Sequence, residues 1–211
     1  MIVDTAGFTT WATMRPTVLR RAPECPSFLI DDALKNAADE FLRVSRVWRT
    51  AFGTLLTTVA DTAVYAYTAP TNAQVWQVQT AWIGTDELTP IEAGDEADDE
   101  PGDTDELPRI FARKVDKLVL TPLPATAGAV VKGTLSLRLS SAAVGIPQEA
   151  WQEWSDEIAC GAAAILVTEP NKPWSNPGAA SFLRGVFRDG ISSASNSAGP
   201  TRRVPMRVTP V

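Results

Sequence analysis

Between Asp86 and Glu106 the chain carries eleven carboxylates and no lysine or arginine, its densest concentration of groups able to do chemistry. Carboxylates at this density can hold a hard cation or move protons. The centre of the run, Glu92-Ala-Gly-Asp-Glu-Ala-Asp-Asp-Glu-Pro-Gly-Asp103, lacks the one-three-five ligand spacing, central glycine and closing glutamate of a calcium loop. Spacing alone singles out no acid–base pair in it. Low hydrophobicity with glycine and proline in this centre, 92–103, predicts a solvated, mobile loop within the acidic segment 86–106.

The remaining reactive side chains point away from catalysis. The sequence has no histidine, which removes the commonest general base, the Ser-His and Cys-His nucleophile systems and the commonest metal ligand. Cys25 and Cys160 are isolated thiols and imply neither a zinc site nor a disulfide framework. The serines between 141 and 197 have no histidine or lysine base beside them, and no phosphate-cradling glycine run is present. No catalytic residue, metal ligand or cofactor-binding residue is therefore assigned, no cofactor is expected, and a non-enzymatic role is.

Charge and aromatic content suggest contacts with other macromolecules. The net charge is −6, so setting aside the eleven acids of 86–106 leaves the rest of the chain at +5. The last segment, from residue 199, places Val204, Met206 and Val208 among Arg202, Arg203 and Arg207, with Pro205 and Pro210 preventing a compact helix. It has no aromatic ring to stack on a base, so an extended tail that docks on a partner protein is the expectation. Seven tryptophans against two tyrosines also favour assembly, since large rings concentrate in interfaces. Trp48, Trp151, Trp154 and Trp174 are the candidates for the core and the subunit boundary.

The elements that position these groups follow from periodicity. Residues 1–52 read as an N-terminal arm, with a short strand near Thr17-Val-Leu19, and a first long helix from Ser27 to about Arg49. Ile30, Leu34, Ala37, Ala38, Phe41, Ser45 and Trp48 form its apolar stripe, with Asp31 and Asp32 in its first turn and Arg43, Arg46 and Arg49 late. Residues 53–143 are rich in Val, Thr, Leu and Trp with period-two stretches at 54–58, 63–67, 75–83, 87–91, 117–120 and 130–139. Trp76 and Trp82, six apart, can share one sheet face. Residues 144–198 hold two helices, Pro147 to about Val167 and Pro177 to about Ser195, with Asn176 as N-cap of the second. The hinge between them is Glu169-Pro-Asn-Lys-Pro-Trp-Ser-Asn-Pro177. The expected fold is α+β: a helical bundle of three main helices with an inserted antiparallel β-sandwich or small barrel. No run approaches the length needed to span a membrane, and the first residues lack the basic and apolar regions of a signal peptide. Synthesis in the cytoplasm and no membrane partner are expected.

The helical part resembles the head-to-tail adaptor proteins of tailed bacteriophages, of the podovirus tail tubular adaptor type. The matching residues are Trp154, Ile158-Ala159, Gly161-Ala162, Leu166, Lys172-Pro173-Trp174, Asn176-Pro177, Phe187 and Gly190-Ile191. Upstream the resemblance is carried by Cys25-Pro26, Ile30, Ala33-Leu34, Ala37-Ala38, Glu40-Phe41 and Ser45-Arg-Val-Trp-Arg49, and in the β part by Leu137-Arg-Leu-Ser140. The long acidic segment departs from the short hairpin usual in that family.

The resemblance implies a structural virion protein at the head-tail junction. Such adaptors form a ring, typically of twelve copies, under the portal protein, extend the DNA channel and provide the platform for a tail tube or nozzle protein. Their bundle faces the portal and their β region the tail. By the same implication the segment from Gly199, with Arg202, Arg203, Val204, Met206, Arg207 and Val208, is a portal-docking arm. Asp95, Glu96, Asp98, Asp99 and Glu100 would face the channel, where repeated carboxylates repel phosphates and let DNA pass without sequence-specific contact. The alternative is a receptor- or carbohydrate-binding tail accessory module, with Trp76 and Trp82 as its platform.

Overall fold

The structure, a computed structural model, describes residues 7–90, 109–113, 117–121, 123–124 and 126–199. The chain opens with the short strand β1 (Phe8–Thr10) and the helix α1 (Trp11–Leu19), then α2 (Ser27–Ser45). The sheet follows as β2 (Arg49–Thr57), β3 (Val64–Ala66), β4 (Ala73–Ile83), β5 (Asp86–Pro90), β6 (Arg109–Arg113), β7 (Lys117–Thr121) and β8 (Val130–Leu139). A last short strand β9 (Gly145–Pro147) leads into α3 (Gln148–Val167) and α4 (Pro177–Ser197). The fold is α+β, as its periodicities predict.

Residues 17–19 belong to a helix and not to a strand. Only Met14 and Val18 of α1 are buried, and Pro16 lies inside it, so its sequence lacks the apolar stripe that announces the longer helices. Trp11 at its start donates its indole N–H to the Ala143 carbonyl (3.1 Å), and Arg15 makes a two-point ion pair with Asp31 of α2 (2.7 and 2.6 Å). Among the described residues the bundle thus has four helices, one of them short. α2 begins at Ser27, which puts Asp31 and Asp32 beyond its first turn, and it stops at Ser45 because Arg46 takes a left-handed conformation (φ 56°). The chain then turns directly into β2.

β1 pairs with β9 at the foot of the bundle. The other seven strands form one sheet in the order β2-β8-β4-β5-β6-β7-β3, antiparallel throughout except for β5 and β6. Gly84 (φ 60°) supplies the left-handed residue of the β4–β5 hairpin. The sheet rolls until residues near its two edges meet: Phe52 of β2 packs edge-on against Tyr67, just after β3, at 5.3 Å between ring centroids. No ladder joins β2 to β3, so the roll stays open and sandwich-like. One hydrophobic core runs through bundle and sheet, and its largest fully buried side chains include Trp48, Phe41, Met14, Leu135 and Leu137.

Candidate functional site

The helical signature that suggested a function is, physically, a close-packing device. A Cβ placed on Gly161 of α3 would lie 2.5 Å from the Phe187 ring of α4, and one on Gly190 of α4 would lie 2.5 Å from the Glu157 side chain of α3. Both glycines therefore permit an interhelical approach that alanine would obstruct. Phe187 in turn packs on Phe41 of α2 (6.1 Å between centroids), which also meets Trp154 of α3 (5.8 Å). Three helices converge on this aromatic cluster. At Trp154 the backbone leaves helical values (φ −124°, ψ 25°), which kinks α3 at the same level.

The hinge between α3 and α4 is equally specific. Asn176 accepts a hydrogen bond from the Ala179 N–H through its side chain (3.2 Å), while its own N–H donates to the Val167 carbonyl (2.9 Å). One residue thus caps the start of α4 and ties it to the end of α3. Ser175 N–H closes a turn onto the Lys172 carbonyl (3.0 Å), and the Lys172 ammonium lies 5.9 Å from the centroid of the buried Trp174 ring. The hinge therefore ties the end of α3 to the start of α4 through Asn176, with the Lys172–Ser175 turn between them.

The four tryptophan candidates separate by burial. Trp48 has no exposed surface and packs edge-on against Phe8 (5.9 Å), so it belongs to the chain's own core and not to a subunit boundary. Trp174 is buried under the hinge. Trp151 and Trp154 are half-buried and retain surface at the bundle. The channel candidates Asp95, Glu96, Asp98, Asp99 and Glu100 lie outside the described residues, as do the tail candidates Arg202, Arg203, Val204, Met206, Arg207 and Val208.

Trp76 and Trp82 do not form an open pair on a flat strand. β4 carries irregularities between Val75 and Gln77 and between Val78 and Thr80, and Trp76 stands in the first of them. The guanidinium groups of Arg43 and Arg138 lie 5.2 and 5.4 Å from its ring centroid, and Arg138 is held there by a two-point pair with Asp39 of α2 (3.1 and 2.6 Å). Asp39 also accepts from the Leu139 N–H (3.2 Å). These contacts weld α2 to β8 and use Trp76 as a stacking surface for cations of its own chain.

Among the described residues, no group of three or more acidic, cysteine or histidine side chains gathers as metal ligands, and no helix is long and apolar enough to cross a membrane. Cys25 and Cys160 are both free and buried. Burial raises both thiol pKa values, with Glu169 adding to the rise at Cys25 and Arg21 opposing it at Cys160, so neither thiol is activated as a nucleophile.

Six of the ten exposed large apolar side chains among the described residues lie toward two remote ends, while Val44, Trp76, Val144 and Phe182 lie elsewhere. α2 enters the sheet at its C-terminus, so its opposite end, with Phe28 65% exposed and Leu19 of α1 beside the following turn, lies roughly 28 Å away along the helix. At the far end of the sheet, exposed Val59, Val64, Leu123 and Val130 surround loops tied by Asp61 N–H to the Pro124 carbonyl and Gly128 N–H to the Thr58 carbonyl. Sequence reading passed over these residues because none has a distinctive spacing; their exposure depends on where the chain turns. No protein-family model matches this chain, and no curated protein matches it as a relative.

Proposed function

We propose that this chain is a structural head-to-tail adaptor that assembles as a ring beneath a portal protein and presents a platform for a tail tube or nozzle protein. The observation that carries the reading is the pair of exposed apolar ends: Leu19 and Phe28 on the bundle, and Val59, Val64, Leu123 and Val130 on the sheet. A protein that joins two partners needs one sticky surface at each end. The resemblance in the helical residues assigns the bundle end to the portal and the sheet end to the tail. The tight α3–α4 packing and the capped hinge supply a rigid spacer between them. In this reading Trp151 and Trp154 are candidates for the subunit boundary, and about twelve copies place their acidic segments around passing DNA.

The test mixes purified protein with the portal ring encoded by the same genome and measures mass by native mass spectrometry, with the protein alone as reference. A portal-dependent complex with one copy per portal subunit is the expected result. Failure to bind either the isolated portal or filled heads would remove the adaptor reading, and binding to a glycan array would then favour the accessory-module alternative.

A further inference from the structure

A groove of about 140 Å³ opens on the bundle, floored by Gly161, Ala164 and Ile165 of α3 and walled by Ala37 and Glu40 of α2 and Arg184, Phe187 and Arg188 of α4. Its floor is low at Gly161 and Ala164, and the missing side chain of Gly161 also brings α3 and α4 together. A cavity of about 150 Å³ can accept a benzene ring. Arg184 and Arg188, one turn apart at its mouth, have no ion-pair partner among the described residues. Two unpaired guanidinium groups over a shallow cleft favour an aromatic face and a carboxylate together.

The opposite flank of α4 offers both. Phe182 is 71% exposed, the most exposed large apolar side chain described. At about 100° per residue it lies roughly 160° around the helix from Arg184. Asp189, seven residues on, returns to the same stripe two turns later, and it too has no ion-pair partner among the described residues. One flank of α4 therefore presents an aromatic ring and a negative charge. The other borders a cleft that is net positive, with the two guanidinium groups on one wall and the Glu40 carboxylate on the other.

We infer that the cleft between α2 and α4 receives the Phe182–Asp189 flank of α4 from a second copy of this chain. The ring seats against the cleft and the guanidinium groups, and Asp189 pairs with Arg184 or Arg188. Because donor and acceptor surfaces differ, the contact is head-to-tail: every copy keeps one free surface of each kind, and repetition closes a ring or extends a filament. The inference deepens the proposed function by naming the repeating contact, and rests on that reading for closure into a ring.

The test uses two full-length variants, each checked for native circular dichroism and melting. Arg184→Glu/Arg188→Glu spoils the cleft and keeps the flank; Phe182→Ser/Asp189→Ser spoils the flank, leaves it neutral, and keeps the cleft. Sedimentation velocity over a concentration series at low salt should show self-association of the natural chain that each variant weakens about tenfold or more. An equimolar mixture should recover one natural interface and stop at a dimer, since no further complementary surface remains. Natural chain that stays monomeric throughout the series, variants that associate like it, or a mixture with no dimer would each overturn the contact. Portal binding by the natural chain, measured in parallel, reports separately on the adaptor reading.

Discussion

The bundle and the sheet both use glycine where neighbours crowd, as at Gly133 of β8, where an added Cβ would lie 2.6 Å from the Thr80 carbonyl oxygen. The two differ in how regular their ladders are. In the bundle, backbones approach closely because side chains are absent: Gly161 yields to Phe187 and Gly190 to Glu157. In the sheet, the ladder itself gives way. β2 and β4 both carry register shifts, and the buried polar residues Gln79 and Ser136 are kept inside by bonding to one another (3.0 Å). Tyr67 is buried with its hydroxyl unpartnered. Unpartnered buried polar atoms occur in both regions, the indole nitrogens of Trp154 and Trp174 among them, so what sets the sheet apart is its irregular ladder.

The largest effect that sharpens this contrast is expected at Phe41. Its ring has no exposure and touches both Trp154 and Phe187, so Phe41→Ala should lower unfolding free energy by about 3–5 kcal/mol in urea titrations. Gly161→Leu should cost about 3 kcal/mol by overpacking the same cluster from the other side, although leucine is the better helix former. A loss under 1 kcal/mol would mean that α4 shifts freely, and the contrast with the sheet would break.

At the junction of the two regions, Asp39→Ala removes a two-point partner of Arg138 and an acceptor for Leu139. The expected cost is about 1–3 kcal/mol, and Arg138→Ala in that background should add little. Asn176→Ala should cost about 1 kcal/mol through the lost cap of α4, seen as a lower melting temperature with unchanged helical ellipticity at 10 °C.

The smallest effect at neutral pH belongs to the sheet. Burial pushes the Tyr67 phenol up to about 12. A raised folded pKa gives stability that is complete below the ordinary value near 10 and is lost as pH climbs toward 12. Tyr67→Phe should be neutral or slightly stabilising at pH 7, because it removes an unpaired buried hydroxyl. It should also flatten the decline of about 1–2 kcal/mol between pH 10 and 12, measured by denaturant midpoints.

These same regions differ in how plainly the sequence announces them. The long helices and β8 were legible: the three-and-four spacing of Ile30, Leu34, Ala37 and Phe41, the Asn176-Pro177 start, and the alternation from Val130 to Leu139 all name their elements. The helix α1 was not, because a nine-residue helix with two buried positions has almost no stripe to read. β1 and β9 are three-residue partners 130 residues and more apart, and no local pattern encodes such a pairing. The stop of α2 was missed because Arg46, with an ordinary side chain, occupies the left-handed position usually given to glycine. Trp48 continued the helical stripe on paper, yet it lies beyond the helix in the core between bundle and strands. For the exposed apolar surfaces the limit is more basic: exposure of Phe28 or Phe182 is a property of the whole fold and has no local signature.

The way the sheet departs from and returns to the bundle has a consequence for what the molecule can become. Arg49 and Ser136 face each other as ladder partners, and the Leu137 N–H donates to the Trp48 carbonyl. The inserted region therefore leaves and re-enters through a single doorway about one strand spacing wide. A short loop across that doorway would leave the path of α2 into α3 intact, and a foreign β module whose ends lie equally close could be fitted there. Such a molecule can exchange its entire sheet while its helices stay as they are, which makes the two parts separable units of inheritance.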